Sequence, residues 1–339
     1  MTNLFGMTLP QLEALCAQEG FPKFTAKQMC DWLYRKGARS VDEMTNLSLR
    51  QRARLAEMAT IGRSEPTLCQ QSKDGTKKYL FGEVEAVMIP DGERATLCIS
   101  CQRGCRMGCR FCVTGRNCFR GSLSAGEILN QIYSVPEFEQ LTNVVYMGMG
   151  EPMDNYDAVL ASTEVLTAAW GLGWSPRRIT VSSVGLTPML KRFVEESECH
   201  VAVSLHNPYH QERQELMPME KAYPVLACLD MLKQYDWTGQ RRLSFEYTMF
   251  RGWNDDLGHA AELVRLFRGK NRTGKLFCRV NLIPFHESEG VELQASSRAT
   301  MEAFQQYLND HGVICTIRAS RGQDIMAACG LLAGQKGGA

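Results

Sequence analysis

No stretch of this sequence is apolar for long enough to cross a bilayer as a helix, which excludes a helical membrane protein. The opening residues, Met1 to Gly6, have neither the basic start nor the apolar centre of a secretory signal, so a cytoplasmic protein is expected. Charge of one sign is also scarce. The chain has 38 Lys and Arg against 37 Asp and Glu, a formal net charge of +1. That excludes wholesale polyanion binding and leaves only local patches. Histidine is rare, with six in 339 residues, and none lies near the most cysteine-dense stretch, so mixed Cys–His zinc patterns are excluded there. Cysteine itself is plentiful, at fourteen. In a chain this long with no secretory signal they do not form a disulfide framework and are candidates for metal binding or catalysis. The composition, 44% hydrophobic and 22% charged, is that of an ordinary globular protein with room for one large domain and one small one.

The chemistry concentrates in Cys105-Arg-Met-Gly-Cys109-Arg-Phe-Cys112, where three cysteines stand four and then three residues apart. No fourth cysteine follows at the usual ligand spacing. Structural zinc closes a tetrahedron of four ligands. A [4Fe-4S] cluster held by three thiolates keeps one iron open for a ligand. The triplet therefore points to a cluster that does chemistry. The alternative is three ordinary buried cysteines.

Around this loop the pattern divides into four parts. Residues 1–60 read as three short helices, with Ser/Thr-x-x-Gln capping boxes at Thr8/Gln11, Thr25/Gln28 and Ser48/Gln51. The third helix carries Arg50, Arg52 and Arg54, with Arg63 beyond it, either a solvated face or an RNA contact. Residues 61–93 read as a connector with a strand pair turning at Lys73-Asp74-Gly75-Thr76. From 94 to 318 strand and helix alternate. Strands are expected over 95–100, 143–147, 178–182, 200–205, 243–250 and 279–283, and a last one over 313–317. Helices are expected over 125–133, 156–169, 188–195, 223–235, 257–268 and 298–309. Such alternation predicts an α/β fold with a parallel sheet, whose chemistry sits at the carboxyl ends of the strands. Residues 319–339 form a Gly- and Ala-rich tail containing Cys329.

Further motifs fall at those strand ends: Gly148-Met-Gly150-Glu151-Pro152, Ser182-Ser-Val-Gly185, Ser204-Leu205-His206 and Asn281-Leu-Ile-Pro284. Glycine lets backbone approach a ligand, and Glu151 could accept hydrogen bonds from an ammonium or a ribose. Each motif alone is more often an ordinary turn. Together they would surround one pocket.

These residues resemble the RlmN/Cfr family of radical S-adenosylmethionine RNA methyltransferases, from the helical N-terminal part to Ala327-Ala-Cys329-Gly330. The resemblance implies an open six-unit (β/α) partial barrel with a small helical N-terminal domain. It implies a [4Fe-4S] cluster on Cys105, Cys109 and Cys112, and S-adenosylmethionine held by Gly150, Glu151, Ser182, Ser204, Leu205, His206 and Asn281. Cys329 matches the cysteine that becomes S-methylated, Cys98 its resolving partner, and Glu85 the proton acceptor. The implied reaction methylates C2 of an adenosine in large-subunit (23S) ribosomal RNA, and also one in the tRNA anticodon loop. Adenine C2 is too electron-poor to attack a sulfonium, so the methyl group passes through the Cys329 thiolate, a good nucleophile once formed. A radical then takes hydrogen from the S-methyl group, the carbon adds to C2, and Cys98 releases the product by forming a disulfide with Cys329. The implied partners are RNA, a cellular electron donor and a disulfide reductant, with no membrane.

Three departures from the family pattern stand out: Cys118 where relatives more often have Gly, Leu331 in place of a Gln, and Asn207 in place of an Ala. Local arginine clusters at 103–110, 116–120, 177–178, 241–242 and 318–321 could line the pocket mouth. The rival readings are methylation at adenosine C8, a radical enzyme acting on protein or a small molecule, and a non-enzymatic iron–sulfur or zinc protein.

Overall fold

The computed structural model describes residues 1–269 and 275–333, so the end of the expected 319–339 tail, 334–339, lies outside the described residues. The N-terminal helices are α1 (Leu9–Gln18), α2 (Phe24–Cys30) and α3 (Leu49–Met58). Two of the three expected capping boxes form, at Thr8/Gln11 and Ser48/Gln51. At the latter, the Gln51 N–H donates to Ser48 Oγ at 3.2 Å and the Ser48 N–H to Gln51 Oε1 at 2.9 Å. Ser48→Ala should lower stability by about 1 kcal/mol, read as a lower urea midpoint with unchanged slope.

Thr25 is not a cap. Its N–H bonds the Pro22 carbonyl at 2.9 Å, so the turn is already wound one residue after proline, which favours helix starts. Thr25 is instead fully buried and accepts from Gln51 Nε2 at 3.0 Å. The helical unit is closed by a short parallel pair, β1 (Thr2–Asn3) with β2 (Ala59–Thr60).

Arg52, Arg54 and Arg63 are held by contacts within the fold, whereas Arg50 is exposed. Arg54 pairs with Glu19 at 2.6 Å, and Arg52 donates to the Asp42 carbonyl at 2.9 Å. Arg63 donates to the carbonyls of Gly37 and Tyr133 at 2.8 and 2.7 Å. Arg63 thus ties the helical unit to the main body, whose Tyr133 hydroxyl donates to the Tyr34 carbonyl at 2.9 Å.

The rest is organised on a 10-stranded sheet in the order β14-β13-β12-β11-β10-β9-β6-β5-β4-β3. Its strands are β3 (Leu68–Gln71), β4 (Lys77–Phe81), β5 (Val84–Asp91), β6 (Arg94–Cys98), β9 (Asn143–Tyr146), β10 (Ile179–Ser183), β11 (His200–Ser204), β12 (Leu243–Met249), β13 (Arg279–Pro284) and β14 (Ile314–Ile317). From β6 through β14 every pairing is parallel, the expected open partial barrel. Residues 61–93 are less separate than expected. Strands β3, β4 and β5 form an antiparallel meander that continues the same sheet, because β5 pairs along the whole of β6.

The crossovers are α5 (Ala125–Tyr133), α6 (Tyr156–Thr167), α7 (Thr187–Glu196), α9 (Val225–Leu232), α10 (Leu257–Arg268) and α11 (Arg298–Asp310). They bury apolar stripes such as Ile128, Leu129 and Ile132 of α5 against the sheet. The short helices α4 (Val113–Arg116) and α8 (His210–Leu216) follow the cysteine loop and β11. Strands β7 (Gln102–Arg103) and β8 (Gly121–Ser122) pair antiparallel and pinch the neck of the cysteine loop.

Candidate functional site

The parallel strands bring their carboxyl ends to one edge, and a cavity of ≈ 420 Å³ opens there. Cys105, Cys109 and Cys112 all line it. The loop that carries them closes on itself at Gly104, whose φ of +80° and 2.3 Å gap from a would-be Cβ to the Cys118 carbonyl admit no side chain. Phe111, the aromatic before the last cysteine, stacks edge-on to His206, with centroids 4.9 Å apart, and packs on Phe250. It therefore joins the cysteine loop to the end of β11. Cys101, four residues before the triplet, is buried and is not part of the lining.

The donor set fits an iron–sulfur cluster better than a single ion. Among the described residues, no three His, Cys, Asp or Glu side chains converge closely enough to hold one metal ion. Three thiols spaced around one cavity suit a multi-iron group, in which each sulfur holds a different iron. Burial pushes the Cys105 thiol up to about 12 and the Cys109 and Cys112 thiols up as well. Without a cation these sulfurs stay protonated, and cationic iron would draw off the protons.

The strand ends supply the rest of the wall. Gly150, Glu151, Ser182, Ser204 and His206 all line the cavity. Gly150 has φ +99°, and a Cβ there would stand 2.5 Å from Gln102 Cβ, so only glycine fits. Glu151 is buried, and its carboxylate accepts from the N–H groups of Met153 and Val184 at 3.0 and 2.9 Å. His206 sits at φ +55°, a conformation a residue with a Cβ rarely adopts. The Thr248 N–H donates to its Nδ1 at 3.0 Å, so the neutral ring carries its proton on Nε2. Burial, and then Arg213, push this imidazole down to about 3. Leu205 and Asn281 are set back from the lining. Leu205 is fully buried, and Asn281 Nδ2 donates to Glu246 Oε1 at 2.8 Å.

Burial raises the Glu151 carboxyl to about 7. A raised folded-state value means that the native chain keeps this proton between about pH 4.5 and 7 while the unfolded chain has released it. Stability is therefore lost as pH rises through that window. Without cofactors, the wild type should weaken relative to Glu151→Gln by about 2 to 3 kcal/mol between pH 5 and 8. Urea midpoints at the two pH values measure this, and parallel behaviour of the two proteins would refute it.

Two more sulfurs reach the same cavity. Cys98 points inward at the end of β6, and Cys329 is exposed to the cavity while ringed by protein. Each thiol is pushed up to about 12, mainly by burial. Cys98 also feels the charge of Cys329, and Cys329 that of Cys112, so the three are neighbours.

The tail bearing Cys329 is pinned to the cysteine loop. The Val113 N–H donates to the Gly330 carbonyl at 2.9 Å, Thr114 Oγ1 to the Leu332 carbonyl at 2.6 Å, and Asn117 Nδ2 to the Ala333 carbonyl at 2.9 Å. Glu85 does not line the cavity. It pairs with Lys78 at 3.0 Å, and its Oε2 accepts the Ala333 N–H at 2.9 Å, which clips the tail to β5.

The structure also places residues that the sequence did not single out. Glu246 lines the cavity beside Cys329. Gln102, fully buried, accepts the Glu151 N–H at 2.9 Å and donates to Asp154 at 2.8 Å. Of the arginine clusters, Arg318 and Arg321 reach the cavity. Arg177, Arg178, Arg241 and Arg242 do not, because they precede β10 and β12 and lie at the opposite edge of the sheet. There Arg178 and Arg241 donate to the carbonyls of Thr142 and Cys199 at 2.9 and 2.8 Å. Of the three departures, Cys118 is exposed, Leu331 is buried, and Asn207 is buried with its Oδ1 accepting the Tyr209 N–H at 2.8 Å.

Comparison with known proteins accounts for both parts of the chain. The family described as ribosomal RNA large subunit methyltransferase N-terminal domain matches residues 2–61, and the radical SAM superfamily matches residues 99–264. A probable dual-specificity RNA methyltransferase RlmN of Porphyromonas gingivalis is 54% identical over 338 residues, 98% of this chain and 97% of the relative. The dual-specificity RNA methyltransferase RlmN of Syntrophus aciditrophicus is 42% identical over 342 residues, 98% of this chain and 97% of the relative. The crystal structure of a radical SAM methyltransferase from Sphaerobacter thermophilus superposes with a TM-score of 0.88 at 37% identity, over 98% of this chain and 99% of that one.

Proposed function

This chain belongs to the RlmN family of radical S-adenosylmethionine RNA methyltransferases, and on that premise we propose that it methylates C2 of an adenosine in 23S ribosomal RNA and one in the tRNA anticodon loop. The observation that carries this reading is that five thiols, Cys98, Cys105, Cys109, Cys112 and Cys329, face one cavity. Three suit a cluster. The other two are what a methyl relay to an unreactive carbon needs, and an enzyme that only abstracts hydrogen has no use for them.

Cys105, Cys109 and Cys112 would hold the cluster. Gly150, Glu151, Ser182, Ser204, Leu205, His206 and Asn281 would hold S-adenosylmethionine, some through backbone. When bound, these groups supply an electrophilic methyl and, after one-electron reduction, a radical able to take hydrogen from carbon. Cys329 Sγ carries the methyl group and joins its carbon to adenine C2. Glu85 is the proposed acceptor of the C2 proton, and at rest it holds the tail that carries Cys329. Cys98, as thiolate, attacks Cys329 Sγ. The S–S bond forms, the C–S bond breaks, and its electron pair stays on the carbon, which takes up a proton to become the methyl group; the odd electron left by the radical addition would return to the oxidised iron–sulfur group as the C2 proton leaves. A cellular reductant then returns the disulfide to two thiols.

The target base must leave its stack to reach this cavity, and Arg318 and Arg321, which line it, would meet its phosphates. The proposed setting is the cytoplasm, where RNA substrates and a cellular electron donor are at hand; no helix among the described residues is long and apolar enough to cross a membrane.

The test is anaerobic turnover. The reconstituted enzyme, S-adenosylmethionine, a reductant and ribosomal RNA lacking the modification are combined, and the digest is analysed by mass spectrometry. 2-Methyladenosine is expected. 8-Methyladenosine would keep the relay and overturn the assigned position. Cofactor cleavage with no methylated adenosine would overturn the substrate.

A further inference from the structure

The end of β11 is held from behind by one guanidinium. Arg213 lies on α8, only 1% exposed, and donates to three main-chain carbonyls. Its Nε reaches Leu205 at 2.8 Å, and its Nη2 reaches Val184 and Ser204, each at 2.8 Å. Its remaining nitrogen, Nη1, pairs with Glu220, which is fully buried and also accepts the Val225 N–H at 3.0 Å. The Val184 N–H is held by Glu151 at 2.9 Å. The ends of β9, β10 and β11 are thus linked in series, from Glu151 through the backbone of Val184 to Arg213 and so to Ser204 and Leu205.

We infer that Arg213 is a positioning residue for cofactor binding, fixing the strand-end turns 182–185 and 204–206 against each other so that they present one surface to S-adenosylmethionine. The inference rests on the functional reading above, which places the cofactor on those turns. Three features support a role beyond general stability. The acceptors are all carbonyls at the two strand ends: Ser204 is the last residue of β11, and Val184 and Leu205 lie just beyond β10 and β11. The next residue, His206, is held at φ +55°, a strained state that persists only where its surroundings over-determine it. The backbone it ties also forms the cavity wall, since Val184 and Ser204 both line it. Lysine could not replace it, because only the planar fork serves three carbonyls and a carboxylate at once.

The test pairs Arg213→Gln with Glu220→Gln, so that no buried charge is left alone. Iron and sulfide content and the dissociation constant of S-adenosylmethionine by equilibrium dialysis are measured in the anaerobic protein. The double variant should keep its cluster and bind S-adenosylmethionine roughly 10- to 100-fold more weakly, the range for losing hydrogen bonds to a charged group. Arg213→Lys should show a smaller loss in the same direction, and it carries the test if the double variant does not fold. Wild-type affinity in a folded variant that melts earlier would overturn the inference and leave Arg213 a fold residue. A wild-type chain that holds a cluster yet binds no S-adenosylmethionine would overturn the functional reading, and this inference with it.

Discussion

With Cys329 replaced by alanine, the chain takes up iron and sulfide as the wild type does and forms no methylated adenosine. Cluster uptake survives because Cys329 is not one of the three loop thiols. The segment around it is held by main-chain carbonyls at Gly330, Leu332 and Ala333, none of which depends on the Cys329 side chain. The side chain is exposed to the cavity, so its removal opens no new void in the core. Activity does not survive, because no other sulfur can carry the methyl group. Cys98 is fixed on β6, and Cys105, Cys109 and Cys112 are committed to the cluster. A loss of at least ~10⁴-fold is expected, since removing a covalent nucleophile removes the pathway and not merely part of the binding. Alanine at the exposed Cys69 or Cys118 should leave turnover within about twofold of wild type, since exposed positions away from special contacts tolerate change. Methyladenosine from the Cys329→Ala protein would end the relay mechanism.

Cys98→Ala has the opposite signature: the carbon–carbon bond forms and the product cannot leave. Cys98 faces inward where β6 meets both β5 and β9, in register with Val87 and Val145. Its thiol feels the charge of Cys329. No other thiol outside the cluster set lines this cavity among the described residues, so none substitutes as resolver. The expected result is an enzyme–RNA conjugate that survives boiling in detergent and collapses to protein size on ribonuclease treatment, with free product reduced by about 100-fold or more. Free product at wild-type levels with no conjugate would remove Cys98 from the mechanism. The thiol's raised proton affinity also fixes a direction with pH: release should speed up as pH rises from 7 toward 9, because more Cys98 is then ionised.

The parts of this molecule legible in its sequence are those where local rules and tertiary structure agree. The helices at 125–133 and 257–268 end where their periodicity ends, and the parallel strands fall within a residue or two of the expected spans. The cysteine loop declared itself by spacing, and the strand-end motifs by their place after apolar runs. Thr25 misleads because a serviceable cap sequence lies just inside a helix that already starts at Phe24. For 61–93 the local pattern shows a connector with a strand pair but not its join to the main sheet, because the pairing of β5 with β6 is a tertiary fact that no local pattern states. Arg213 was invisible for a similar reason. In His210-Gln-Glu-Arg213-Gln-Glu-Leu216 it looks like any surface arginine, and only the fold turns it inward. Glu246 did leave a signal, a carboxylate inside the otherwise uncharged strand Leu243–Met249, and a buried charge in a strand is a site marker. Arg177 and Arg241 show the converse: a basic pair beside a strand says nothing until its end of the strand is known.

The clip between the cysteine loop and the tail has a consequence for how the enzyme comes into being. Thr114 meets Leu332 across 218 positions of sequence, and Glu85 meets Ala333 across 248. The β5–β6 hairpin that places Cys98 closes locally, whereas these contacts wait for every strand between them to be made and folded. During synthesis the resolver is in place early and the methyl carrier last. A chain halted before residue 329 has nothing with which to mark RNA. Competence to modify RNA is therefore conferred only once residues 329–333 have been made and folded back onto the cysteine loop.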